Sequence, residues 1–171
     1  GEAGRKPVPP LNLVGDFGGG SMFLLTGVLA ALWERSRSGK GQVIDAAMVD
    51  GAAYLMMLVH SMAAQGMWNV DEPGTNLLDT GAPFYDVYTC RDGGYLAVGC
   101  LEPKFYAEFL HGLELDQATL PQQYDTANWP HLRQIFTERI ASRTRAEWQE
   151  RFEGTDACVA AALTMAVAAE H

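Results

Sequence analysis

Up to about Met67 the apolar positions come in long helical runs, and from Ala82 onward they come in short, strand-length runs. Met22, Phe23, Leu24, Leu25, Val28, Leu29, Leu32 and Trp33 are apolar almost all round, which predicts a helix from about Met22 to Arg35 packed on both sides. The polar, glycine-containing stretch 36–41 predicts a turn, and Gln42-Val43-Ile44-Asp45 a short strand. That strand leads into a second apolar helix, from roughly Ala46 to Met67. Helix, turn, strand, helix is an α/β pattern.

Residues 68–80 contain Pro73, Gly74 and several Asn or Asp residues and read as an exposed linker. Residues 82–90 and 95–100 are strand-like, and Arg91-Asp92-Gly93-Gly94 between them predicts a hairpin turn. Helices are predicted near 103–112, 130–142 and 145–152. The apolar run 157–169 has nothing left to cover it, and the opening ten residues form a loop that runs straight into buried-looking sequence. Both ends read as those of a fragment, or of a chain interlocked with a partner.

Composition narrows the class. With 171 residues, 48% apolar and 19% charged, the chain is long and apolar enough to bury one sizeable core or two small ones, so a soluble globular protein is expected. The formal charge is −9, with the basic residues weighted toward the first 45 positions. No basic stripe interleaved with aromatics is present, so nucleic acid is not an expected partner. Asp50, His60 and Gln65 interrupt the helix from Ala46 to Met67, and no membrane span is expected. Cys90, Cys100 and Cys158 are odd in number and widely spaced, which suits reduced thiols of an intracellular, cytoplasmic protein. The four histidines are too scattered to suggest a metal site.

The candidate chemistry lies in Gly15-Asp16-Phe17-Gly18-Gly19-Gly20-Ser21, an acid on a glycine-rich turn just before the first helix. Two readings stand side by side. Asp16 or Ser21 caps the helix, or Asp16 holds a reacting proton while free amides near Asp16 and near Gly18, Gly19 and Gly20 stabilise an oxyanion. No Gly-Lys-Ser/Thr closes the segment, so a phosphate-binding loop is disfavoured. Met48, Met56, Met57, Met62 and Met67 read either as core filling or as an adaptable surface for varied acyl chains. Asp79, Tyr85 and Asp86 read as turn and strand residues.

Four ordered blocks carry a resemblance: residues 15–21, then Gly39-Lys40-Gly41-Gln42-Val43-Ile44-Asp45 through Gly51, then 81–86, and finally Val98-Gly99-Cys100-Leu101-Glu102-Pro103-Lys104-Phe105-Tyr106. Together they resemble the acyl-CoA racemases of the family III CoA-transferase superfamily. The resemblance implies an α/β fold: part of a Rossmann-like large domain (1–45), a linker helix and loop (46–79), a small α+β domain (80–158) and a truncated return segment (159–171). It implies an interlocked homodimer, an acyl-CoA thioester substrate and no separate cofactor, coenzyme A being part of the substrate. It further implies inversion at C2 through an enolate, with Asp16 as one acid/base group and Glu102 orienting a histidine that lies outside this chain. Leu13, Val14 and Phe17 are the residues expected to desolvate Asp16. Lacking the second base, the chain alone is expected to be inactive. The superfamily also contains transferases in which the same aspartate is a nucleophile, and that alternative stays open. One departure is the absence of a proline soon after Asp156-Ala157-Cys158, which puts the turn there in question.

Overall fold

The computed structural model describes Gly4 and residues 6–170, which divide into two compact units, Lys6–Val70 and the chain from Asp71 onward. In the first, the predicted glycine turn is replaced by a nine-residue π-helical segment, Leu13–Ser21, that continues without a break into α1, Met22–Ser38. The wider i→i−5 ladder is visible in the bond from Phe17 N–H to the Asn12 carbonyl at 3.2 Å. Gly39, in the left-handed region at φ 73°, ends α1 by donating its N–H to the Arg35 carbonyl.

The second predicted helix is two: α2, Met48–Leu55, and α3, Met57–Ala64, meet at Met56, whose backbone (φ −87°, ψ 3°) leaves helical geometry. Residues 42–45 are not a strand. A strand needs a neighbouring strand for its backbone donors and acceptors, and among the described residues none pairs with them. The helical unit also lacks the expected burial. Only Gly19 and Gly51 are buried in α1, α2, α3 and the π-helical segment, while Leu29, Leu32 and Trp33 stay more than half exposed. The methionines do not fill a core either, since Met48, Met56, Met57 and Met67 are exposed. The longest helical stretch is Leu13–Ser38, and by length and composition alone it is long and apolar enough to cross a membrane, which is weak evidence for a span.

In the second unit, β1 (Tyr85–Thr89) pairs antiparallel with β2 (Tyr95–Gly99) across the predicted turn, where Cys90 N–H meets the Gly94 carbonyl at 2.8 Å and Gly93 takes φ 77°. Three helices follow: α4 at Pro103–Gly112, α5 at Trp129–Ile140 and α6 at Arg145–Phe152. Pro103 starts α4 at a position that needs no N–H donor, and a Thr144–Glu147 capping box starts α6. The sheet order is β1-β2-β3, with β3 (Val159–Ala162) antiparallel to β2. Residues 159–162 are therefore the third strand of this sheet, and their apolar run is partly covered by it. One sheet face and the inner sides of α4, α5 and α6 enclose the core, where Phe84, Leu96, Tyr106, Phe109, Phe136 and Trp148 are fully buried.

Candidate active site

Asp16 lies early in the π-helical segment, and its carboxylate has no hydrogen-bond partner among the described residues. The capping reading does not hold. Neither Asn12 nor Ser21 makes a side-chain capping bond, and the Ser21 hydroxyl instead donates to the Asp16 carbonyl at 3.0 Å. Asp16 thus stands in the first turn of the segment with its carboxylate uncommitted to the helix. Leu13, Val14 and Phe17 do not enclose Asp16 within this chain, being 57%, 41% and 51% exposed.

Gly18, Gly19 and Gly20 stand inside the π-helical segment, where backbone N–H groups point to carbonyls five residues back. Amides without a carbonyl ahead of them fall earlier, from Val14 to Asp16. The glycines instead bring two helices into backbone contact. A Cβ built on Gly19 would come within 2.6 Å of the Ala52 nitrogen, and one on Gly51 within 1.9 Å of the Gly19 carbonyl oxygen. A Cβ on Gly18 or Gly20 would have more room, meeting the side chains of Leu55 and Met48 at 3.0 Å. Asp16 is thus mounted on a segment fixed by its contact with α2.

Glu102 belongs to the other unit. It is the N-cap residue of α4, exposed, with extended backbone (φ −71°, ψ 143°) and no side-chain capping bond. Its carbonyl accepts from Tyr106 N–H at 3.0 Å, so the backbone starts the helix while the carboxylate stays available. The preceding carbonyls of Cys100 and Leu101 are bonded by Gln123, a buried polar residue that sequence reasoning missed. Beside it, the Tyr124 phenol is held above its usual range, first by burial and next by the Glu102 charge.

The same unit carries a cleft of about 890 Å³ lined by residues that include Asp86, Val87, Tyr95, Trp129 and Arg133. Arg133 is ion-paired with Asp86 and donates to the carbonyls of Thr80 and Gly81 at 2.7 and 2.8 Å. Asp86 is therefore more than a strand residue, and Arg133 was also missed. Its one sequence signal is a cation beside Trp129, Leu132 and Phe136 on the buried face of α5. The segment expected as exposed linker is ordered at its end by Asp79, which accepts from Gly74 N–H at 2.9 Å and Asn76 N–H at 2.7 Å. Burial raises the Asp79 carboxyl, but bonds from the Asn76 side chain and from the Gly74, Asn76 and Gly81 backbone together hold it below its ordinary range. All three cysteines are free, and among the described residues no group of three or more His, Cys, Asp or Glu could hold a metal ion.

The family model described as CoA-transferase family III matches residues 1–171. The chain is 47% identical to the alpha-methylacyl-CoA racemase of Mus musculus over 171 residues, all of this chain and 45% of that protein. It is 43% identical to the alpha-methylacyl-CoA racemase of Homo sapiens, again over all of this chain and 44% of the relative. The chain thus spans about 45% of the length of the curated relatives it matches. Among solved structures, the Mycobacterium tuberculosis protein Rv3272 has the same fold, with a TM-score of 0.72 at 22% identity over 98% of this chain and 44% of that one.

Proposed function

We propose a function from one premise: the chain belongs to CoA-transferase family III. The protein that carries it is an acyl-CoA racemase, inverting C2 of 2-methylacyl-CoA thioesters. The observation that carries this reading is the identity to two mammalian racemases along the whole chain. In the proposed reaction the Asp16 carboxylate takes the C2 proton, the electron pair moves onto the thioester oxygen, and a proton returns to the opposite face. Glu102 orients the group that serves that second face, a histidine outside this chain. In this reading the enolate oxygen takes its hydrogen bonds from the first-turn amides near Asp16, which the π-helical ladder leaves without a carbonyl partner, rather than from those of Gly18 to Gly20. Coenzyme A enters as part of the substrate and no separate cofactor is invoked.

The test is exchange of the C2 proton in deuterated water by the whole protein. Asp16→Asn should slow exchange by about 10²–10⁴-fold, the usual worth of a general acid/base. Full exchange in that variant rejects Asp16 as the base. The family description also admits group transfer, in which Asp16 would attack the thioester carbonyl, expel the CoA thiolate and form a mixed anhydride. Hydroxylamine trapping of acylated Asp16 would select that reading. Residues 1–171 alone are proposed to be inactive. The exposed apolar side chains of the helical unit support an interlocked homodimer of the whole protein, which light scattering would test. The three free cysteines support an intracellular, cytoplasmic location.

A further inference from the structure

We propose that Gln123 and Tyr124 are positioning residues for Glu102, fixing the two peptide units that precede it so that the carboxylate is presented from a rigid helix start. The inference rests on the reading of Glu102 as an orienting acid. Its own support is an accounting of backbone groups. Where the chain leaves β2, Gly99 N–H donates to the Cys158 carbonyl at 2.9 Å and Cys100 N–H to the Phe84 carbonyl at 3.0 Å. Leu101 N–H turns back to the Gly99 carbonyl at 3.1 Å. On the acceptor side, Gln123 Nε2 donates to the carbonyls of Cys100 and Leu101 at 3.1 and 2.8 Å. The Tyr124 hydroxyl adds a second bond to the Leu101 carbonyl at 2.6 Å. Every backbone polar group of residues 100 and 101 is therefore held by the protein.

The holders are themselves anchored. The Gln123 carbonyl accepts from the indole N–H of Trp129 at 2.9 Å, and Gln123 is only 8% exposed. Tyr124 and Trp129 both set their rings edge-on against Phe84, at centroid distances of 5.3 and 5.8 Å. Beyond the clamp, Pro103 restricts the first helical residue, and Glu102 spends its carbonyl, not its carboxylate, on α4. Solvent would satisfy the carbonyls of an ordinary surface junction. A buried carboxamide given over to two consecutive carbonyls instead immobilises the residue that follows them. A support that holds a reacting group within a fraction of an ångström acts on the rate and not on substrate affinity.

The experiment is a double-mutant cycle in the whole protein, reading kcat and KM for C2 exchange together with thermal unfolding. Tyr124→Phe keeps the ring and removes one bond; Gln123→Met removes both carboxamide donors at similar volume. Each should lower kcat by roughly tenfold with little change in KM, and neither should lower it further in a Glu102→Gln background. If Gln123→Met fails to fold, Tyr124→Phe carries the cycle. Full activity in either folded single variant overturns the assignment. So does a loss that simply adds to that of Glu102→Gln, because both outcomes leave Gln123 and Tyr124 as structural residues. Full activity of Glu102→Gln alone instead rejects the functional reading of Glu102, and the positioning role falls with it.

Discussion

Cys100 directly follows β2 and Cys158 directly precedes β3, yet their thiols stand in opposite environments. Cys100 is fully buried, and burial pushes its thiol up to about 12, so almost none of it is thiolate near neutral pH. Cys158 is exposed, in the left-handed region at φ 52°. A maleimide should therefore label Cys158 in the native protein, and Cys90 and Cys100 only after unfolding; native labelling of Cys100 would contradict its placement in the core. Residues with chemistry were visible in the sequence when their neighbours along the chain defined them, as with Asp16 among its glycines. Arg133 and Gln123 were not, because their partners lie 47 to 53 and 22 to 23 positions away.

Gly51 shows how an element depends on a missing side chain. Its added Cβ would meet backbone rather than a flexible side chain, so Gly51→Ala must push α2 off the π-helical segment. Overpacking of this kind costs roughly 1–3 kcal/mol, and the expected result is a lower melting temperature of the whole protein together with loss of C2 exchange through Asp16. Glu114 joins elements by charge. It pairs with Arg139 on α5, with Arg143 beyond it at 2.9 Å and with Arg151 on α6 at 3.0 Å. The Arg143 hydrogen bond, with the charges of Arg143, Arg151 and Arg139, holds its carboxyl below the ordinary glutamate range. A depressed folded-state pKa adds stability that is complete above the unfolded value and is lost as pH falls through the folded one. Glu114→Gln should thus reduce stability at neutral pH and flatten its decline in acid, measured by denaturant unfolding across pH. Helices α4, α5 and α6 and the hairpin were legible because periodicity, Pro103 and Gly93-Gly94 are local signals. The π-helical segment was not, since glycine patterns read as a turn until packing against α2 supplies the reason for a helix.

At the scale of the molecule, the two units differ in what they bury. The unit from Asp71 onward has a continuous aromatic and aliphatic core, whereas the helices of Lys6–Val70 bury only two glycines. Residues 71–170 alone are therefore expected to unfold cooperatively with intact near-UV dichroism, and residues 6–70 alone to give neither. Cooperative unfolding of the helical piece would mean that its exposed apolar side chains need no cover. The sequence by itself determined the helical and strand periods of the second unit, the hairpin turn, the identity of the candidate acids and the family resemblance, all of which depend on residues close in sequence or on an ordered pattern of types. Only the tertiary structure decided that the glycines serve helix contact, that 159–162 is a strand, that 42–45 is not, and that Gln123 holds the backbone before Glu102. Those outcomes depend on which backbone groups and surfaces find partners across the fold, and a linear pattern of types does not specify partners.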